Sequence, residues 1–259
     1  MTWLKTETVD EVRWLVIDRP ERKNAIPTDG WPILAEAFED FDLSSDRVLV
    51  VIGADGDFCA GADLDVHGLA DGSSVTRAHR RMKVVGAAAT ALHRVTKPTI
   101  AAVDGVAVGA GMNLALGCDI VIAGAGARFS EIFVRRGLSL DFGGTWLLPR
   151  IVGLQRAKEL ALSGRIVEAE EAQRLGIAIE VVPSAQLRER ADDLARSLLA
   201  GAPIAQMFAK QGLDVAFESS WAEALSWEGQ SQAISLGTED FTEGVAAFFE
   251  KRDPDWKGR

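Results

Sequence analysis

Two segments of this chain expose backbone where a ligand could reach it. Gly53-Ala54-Asp55-Gly56-Asp57-Phe58-Cys59-Ala60-Gly61-Ala62-Asp63-Leu64 leaves a short apolar run through small residues and enters a helical stretch. Ala102-Val103-Asp104-Gly105-Val106-Ala107-Val108-Gly109-Ala110-Gly111-Met112-Asn113-Leu114 has the same design of strand, turn, glycine loop and helix start. The first N–H groups of a helix have no intrahelical partner and point outward. With nothing larger than alanine at Ala60, Gly61 and Ala62, or at Gly109, Ala110 and Gly111, a ligand atom can approach the main chain closely. Two such starts acting together can hold a developing negative oxygen, the chemistry of an oxyanion hole. Taken alone, either segment could equally be an ordinary turn. The glycine loop at 109–111 is too short for a phosphate-cradling loop and lacks its Lys-Ser/Thr ending, so nucleotide hydrolysis is not indicated.

Strands and helices must carry these loops. Val12, Trp14 and Val16 alternate with Arg13, Leu15 and Ile17 before Asp18-Arg19-Pro20 ends the run, which predicts a strand. Thr28 can cap a helix with Ile33, Leu34, Ala37, Phe38 and Phe41 on one face, and residues 48–52 are an apolar run typical of a buried strand. Strand, helix, strand at this spacing predicts parallel pairing. The pattern recurs with a helix over about 74–95, a strand over 99–103, a helix from about Ala110 and a strand over 119–123. A helix near 168–175 then leads into a strand over 177–182. After about Ser184 only helical periodicity is left, over 187–199, 203–217, 221–236 and 241–249. The boundary falls near residue 200, between a core over 1–200 and a helical region over 201–259. Trp221, Trp227, Phe241, Phe248 and Phe249 are more large apolar surface than that region can bury alone, which favours a homo-oligomer.

The balance of 28 Lys and Arg against 38 Asp and Glu, a formal charge of −10, disfavours nucleic acid or an anionic membrane as partner. An anionic ligand would need a local basic patch. The polar start at 1–10 has no signal-peptide pattern and no apolar run approaches bilayer length, so a cytoplasmic protein is expected. Cys59 and Cys118 stand far apart among small apolar residues without metal or redox spacing, and are expected to be reduced packing residues. No metal is expected.

Arg19-Pro20-Glu21-Arg22-Lys23-Asn24-Ala25, Phe58-Cys59-Ala60-Gly61-Ala62-Asp63-Leu64, the glycine segment 104–119, Gly143-Gly144-Thr145 with Pro149-Arg150, and Leu162-Ser163-Gly164 follow one another in a familiar order. Over most of its length the chain resembles the crotonases, the enoyl-CoA hydratase/isomerase superfamily. In motif it is most similar to the single-Asp enoyl-CoA isomerases of the phenylacetate-degradation type. The resemblance implies an α/β fold with a ββα-spiral core and a C-terminal helical trimerisation region, assembled as a homotrimer or dimer of trimers. It implies an acyl-CoA thioester whose carbonyl is held by the N–H groups of Ala62 and Ala110, with Gly61 and Gly109 beside them. Lys23, Ala60 and Leu64 would lie near the CoA nucleotide. Lys251 would join Lys23 as a basic residue for phosphates, unless it is simply a solvated surface residue. Coenzyme A is then part of the substrate and no separate cofactor is implied.

Hydratases of this family use two glutamates, one three residues after the second oxyanion-hole residue and one at the start of the following segment. Asn113 and Phe133 hold those positions here when the chain is aligned on Gly137 and Gly143-Gly144-Thr145. Neither can activate water or protonate a carbon, and Phe133 is assigned to substrate binding. Asp141 falls where the family's single-Asp isomerases carry a working aspartate. Flanked by Leu140 and Phe142, it should be partly desolvated, with a raised pKa that suits a base for a C–H acidified by the thioester. Asp141 could instead cap a helix starting near Gly143. Glu131 is the rival acid if the alignment shifts by two residues, against the spacing of Phe129 to Gly137. Asn113 is either a helix-surface residue or an amide that meets a substrate oxygen or orients Asp141. His67, His79 and His93 are dispersed and read as surface or packing residues. Arg135-Arg136 is a solvated pair or a contact for the CoA phosphates of a neighbouring subunit.

The expected function is an enoyl-CoA isomerase that moves a C=C bond by a one-carboxylate proton transfer through a thioester enolate. The alternatives are an enoyl-CoA hydratase, a lyase of fatty-acid or aromatic-acid metabolism, and a non-catalytic acyl-CoA-binding protein. Residues from about 64 to 94 shape the acyl end in this family, and Val66, Leu69, Val75, Met82 and Val85 say only that the lining could be apolar.

Overall fold

The computed structural model describes residues 3–63 and 75–259. Strands β1 (Leu4–Val9) and β2 (Val12–Ile17) form an antiparallel hairpin. It turns on Asp10 and Glu11, with φ of 48° and 64°, the left-handed backbone that a two-residue hairpin turn requires. β1 has no counterpart in the sequence pattern because its side chains are exposed along nearly its whole length, so an edge strand held by pairing carries no apolar signal. Helix α1 (Gly30–Leu43) buries Trp31, Leu34, Phe38 and Phe41. Its N-cap is Asp29 rather than Thr28, because a turn with Gly30 N–H donating to the Pro27 carbonyl (2.9 Å) already sets the helix entry. Ile33 lies outside the buried stripe and is exposed.

β3 (Val48–Gly53) pairs parallel with β2, as the strand, helix, strand spacing predicts. α2 (Val75–His93) leads to β4 (Thr99–Val103), the short β5 (Val106–Val108) and α3 (Ala110–Leu116). β6 (Ile120–Gly124) and β7 (Arg128–Ser130) follow, then a 3-10 turn over Ile132–Arg136, α4 (Gly144–Val152) and α5 (Leu154–Ser163). β8 (Val167–Glu168), α6 (Ala169–Leu175), β9 (Glu180–Val182) and α7 (Leu187–Leu199) complete the core. A six-stranded sheet runs in the order β1-β2-β3-β4-β6-β9, and a three-stranded sheet in the order β5-β7-β8. β4 hands the chain to β5 and then α3, and β6 hands it to β7, a 3-10 turn and α4, which is the repeating ββα unit of the spiral.

The centre of the large sheet is buried on both faces, so β3 and β4 read as nearly continuous apolar runs. One face packs Leu49, Val51, Ala101 and Val103 against Phe38, Phe41 and Phe129. The other packs Val50, Ile100 and Ile122 under Leu187, Ala191 and Ala195 of α7. Cys59 and Cys118 are free and buried, and burial pushes both thiols up to about 12, which suits packing residues.

From Pro203 onward the chain is helical: α8 (Pro203–Asp214), α9 (Trp221–Leu236) and α10 (Glu239–Glu250). Ser220 and Glu223 form a reciprocal capping box at the start of α9. The three helices enclose an apolar concavity of about 880 Å³ lined by Phe208, Trp227, Phe241 and Phe248 among others. Trp221, Phe241, Phe248 and Phe249 are exposed in the single chain. Among the described residues no helix is long and apolar enough to cross a membrane.

Candidate functional site

The loop after β3 is laced between two neighbours. Towards β5, Cys59 N–H donates to Val106 O (2.8 Å) and Val108 N–H to Cys59 O (3.1 Å). Towards the segment after the Arg19-Pro20 turn, Ala60 N–H donates to Lys23 O (2.9 Å), Ile26 N–H to Gly61 O (2.8 Å) and Asp63 N–H to Ile26 O (2.8 Å). This pairing uses the groups on either side of Ala62 and leaves its own N–H directed away from Ile26. Gly109 precedes α3 with φ of 57° and ψ of −130°, a conformation open to glycine. Among the described residues neither the Ala62 nor the Ala110 N–H has a backbone acceptor. A Cβ on Gly61 would stand 2.8 Å from Val108 O and 3.3 Å from Ala110 N, and one on Gly111 only 2.1 Å from Cys59 O. The two loops therefore touch backbone to backbone, and glycine makes that contact possible.

Asp141 opens the turn into α4. Gly144 N–H donates to the Asp141 carbonyl (3.0 Å), while Phe142 and Gly143 are left-handed at 48° and 83°. For a bulky residue that φ is strained, and it is held here by the buried Phe142 ring packing on Trp31 with centroids 5.7 Å apart. Asn113 Nδ2 donates to the same Asp141 carbonyl (3.0 Å) and to Glu131 Oε2 (3.3 Å). A Cβ on Gly144 would come within 2.4 Å of Asn113 Nδ2, so the glycine leaves room for that amide. The Asp141 side chain does not cap α4, whose N-cap is Gly143, and its Oδ1 is buried without a partner among the described residues. Burial pushes the Asp141 carboxyl up to about 6, against the opposing charge of Arg81. Glu131 is fully buried. Burial pushes its carboxyl up to about 8, with the Asn113 hydrogen bond opposing the shift and the charge of Asp141 adding to it.

Residues 7–259 match the enoyl-CoA hydratase/isomerase family. The chain belongs to that family. It is 37% identical over 267 residues to a 1,2-epoxyphenylacetyl-CoA isomerase of Escherichia coli strain K12, across the whole of both chains. The solved enoyl-CoA hydratase of Bacillus anthracis superposes with a TM-score of 0.94 at 29% identity, covering all of both chains. An enoyl-CoA hydratase/isomerase of Cupriavidus metallidurans CH34 does so with a TM-score of 0.90 at 38% identity, covering 100% of this chain and 97% of the other. The chain is thus an acyl-CoA enzyme of the crotonase superfamily, with that superfamily's fold.

In this crotonase a cleft of about 380 Å³ gathers most of the residues singled out from the sequence. Lys23, Ala60, Gly61, Ala62, Gly109, Ala110, Phe133 and Asp141 all line it. The larger concavity of the helical region contains none of them. Asn113 does not line the cleft; it is buried behind it, joined to the Asp141 carbonyl. Lys251 closes the end of α10, exposed and away from the cleft of its own chain. Leu64, Val66, His67, Leu69 and the Val75 side chain lie outside the described residues. Val85 is a core residue and Met82 is exposed, so neither lines the cleft. His79 is exposed, and His93 packs edge-on against Trp146 at 5.3 Å.

Two arginines join Lys23 on the cleft wall, Arg128 and Arg136. Arg136 was half of an undivided basic pair in the sequence; its neighbour Arg135 turns away and donates to Ser163 O (3.0 Å). Arg128 was missed altogether. Its signal was a lone basic residue opening a three-residue strand in an acidic chain, too short a pattern to read.

Proposed function

We propose that this crotonase is an enoyl-CoA isomerase that moves a C=C bond between the 3 and 2 positions, with Asp141 as its one working carboxylate. The Ala62 and Ala110 N–H groups receive the thioester oxygen. Asp141 removes a proton from C2 or C4, the electron pair moves onto that oxygen to give an enolate, and the same carboxyl returns the proton at the other carbon. Donors aimed at a developing oxyanion stabilise it by about 3–4 kcal/mol each in enzymes that have been dissected this way. Lys23, Arg128 and Arg136 give the acidic chain a local basic wall for the phosphates of CoA.

The observation that carries this reading is that Asp141 is the single carboxyl lining the cleft among the described residues, and that burial brings it to about 6. The 37% identical Escherichia coli relative is named as an isomerase of an epoxide thioester, which supports isomerisation over hydration as the class of reaction. Hydration, the reaction in the name of the Bacillus anthracis neighbour, asks for a second group to activate water. Glu131 is the nearest candidate and is not among the residues lining the cleft. The test is Asp141→Asn offered a 3-enoyl-CoA, with the rise of conjugated thioester absorbance as readout. The reading expects kcat to fall by about 100-fold or more while acyl-CoA binding stays within about twofold of wild type. Retained turnover would sink the assignment.

The assembly belongs to the same proposal. The exposed apolar side chains of α9 and α10 are covered by a further copy of this chain in a homotrimer or a dimer of trimers. Light scattering on the eluted protein checks this, and a monomer at micromolar concentration would contradict it.

A further inference from the structure

Glu131 is a carboxylic acid that the proposed reaction does not use, yet it is placed where a mistake would be costly. It is fully buried, Oε2 accepts from Asn113 Nδ2 (3.3 Å), and Oε1 has no partner among the described residues. A buried carboxyl with one oxygen unpartnered costs stability, and its presence beside the site calls for a task. The task is visible in the other hydrogen bond of the Asn113 amide. Both acceptors lie on the nitrogen side, Glu131 Oε2 and the Asp141 carbonyl, so together they fix which way the amide faces. The amide in turn is pressed against Gly144, whose missing side chain leaves it the space. Glu131, Asn113, Asp141 and Gly144 therefore form one buried chain that ends on the turn presenting the Asp141 carboxylate to the cleft.

We propose that Glu131 is a positioning residue of the active site, acting through the Asn113 amide to hold the Asp141 turn in its working geometry. The inference rests on the reading of Asp141 as the catalytic base. Glu131 works as the neutral acid. The groups facing its carboxyl are Asn113 from α3 and Asp141 from the turn before α4, and no basic side chain among the described residues acts on it. On its own segment Arg135 is turned to the Ser163 carbonyl and Arg136 to the cleft wall. Loss of its proton, near pH 8, sets an uncompensated charge beside Asp141 and ends the working state on the alkaline side.

Three variants assayed with a 3-enoyl-CoA across pH test this. Glu131→Ala should lower kcat by about tenfold or more with KM within about twofold, because the loss is of geometry in the transition state and not of binding. Glu131→Gln keeps an acceptor for Asn113 and cannot ionise, so it should restore most of the kcat lost in Glu131→Ala at neutral pH and carry turnover above pH 8 without the wild-type decline. Asp141→Asn separates the two readings: if it retains turnover, the base assignment itself fails. If Asp141→Asn is inactive while Glu131→Ala turns over at the wild-type rate, the positioning role alone is overturned. Should Glu131→Ala not fold, the alkaline limb decides, and a decline in Glu131→Gln matching wild type overturns the proposal.

Discussion

In the isomerisation we propose, Asp141 removes a proton from carbon, and for that its carboxylate must be ionised yet poorly solvated. Burial does this by raising its pKa to about 6, so kcat/KM should rise as pH increases through about 6, well above the range of an ordinary aspartate. A pH profile with its acidic limb near 4 would contradict that. Glu131 and Asp141 both hold their protons more tightly in the folded chain than in the unfolded one. Folding therefore takes up protons, and stability falls as pH rises from the ordinary carboxyl range, near 4, to about 6 for Asp141 and about 8 for Glu131. Every tenfold gain in proton affinity on folding corresponds to about 1.4 kcal/mol, so the Glu131 contribution is on the order of a few kcal/mol. Glu131→Gln should accordingly raise the melting temperature more at pH 8 than at pH 5; equal changes at both would argue against a buried ionisation. That Ala62, Ala110 and Asp141 line one cleft was expected from the small-residue loops of the first two and, for Asp141, between Leu140 and Phe142, from the family resemblance alone. The Glu131–Asn113 link was not, since the two stand eighteen positions apart and only the packing of α3 against the segment after β7 brings them together.

The elements that hold the site are loops in backbone contact and one strained turn. Gly111→Ala would drive a Cβ to 2.1 Å from Cys59 O, where the opposing atom is main chain and cannot step aside. It should destabilise the chain by about 1–3 kcal/mol or more, read from the urea midpoint. At Gly144 the opposing atoms belong to the Asn113 side chain. Gly144→Ala should therefore cost clearly less in an Asn113→Ala background than in wild type, a coupling that additive costs would disprove. The long strands and helices were legible from periodicity, and the predicted runs at Val12–Ile17, Thr99–Val103, Leu187–Leu199 and Trp221–Leu236 coincide with observed elements. The short β7 and β8 were not legible. At two or three residues they have no period, and their identity comes from pairing across the spiral.

For the whole molecule, charge and shape divide the labour. A chain of net charge −10 gathers Lys23, Arg128 and Arg136 on the wall of one cleft, while its helical end leaves Trp221, Phe248 and Phe249 exposed in the single chain. Replacing Phe248 and Phe249 together by serine should shift the protein toward smaller species in light scattering and leave the cleft intact, because no residue of that end lines it. An unchanged mass would place the subunit contacts elsewhere. The central claim, that one carboxylate moves one proton between two carbons, is tested most directly by following an isotope. A 3-enoyl-CoA deuterated at C2 should give a 2-enoyl-CoA that carries part of that deuterium at C4, and Asp141→Asn should give neither product nor transfer. Product formed by Asp141→Asn, or a wild-type product that is hydrated instead of rearranged, would contradict it.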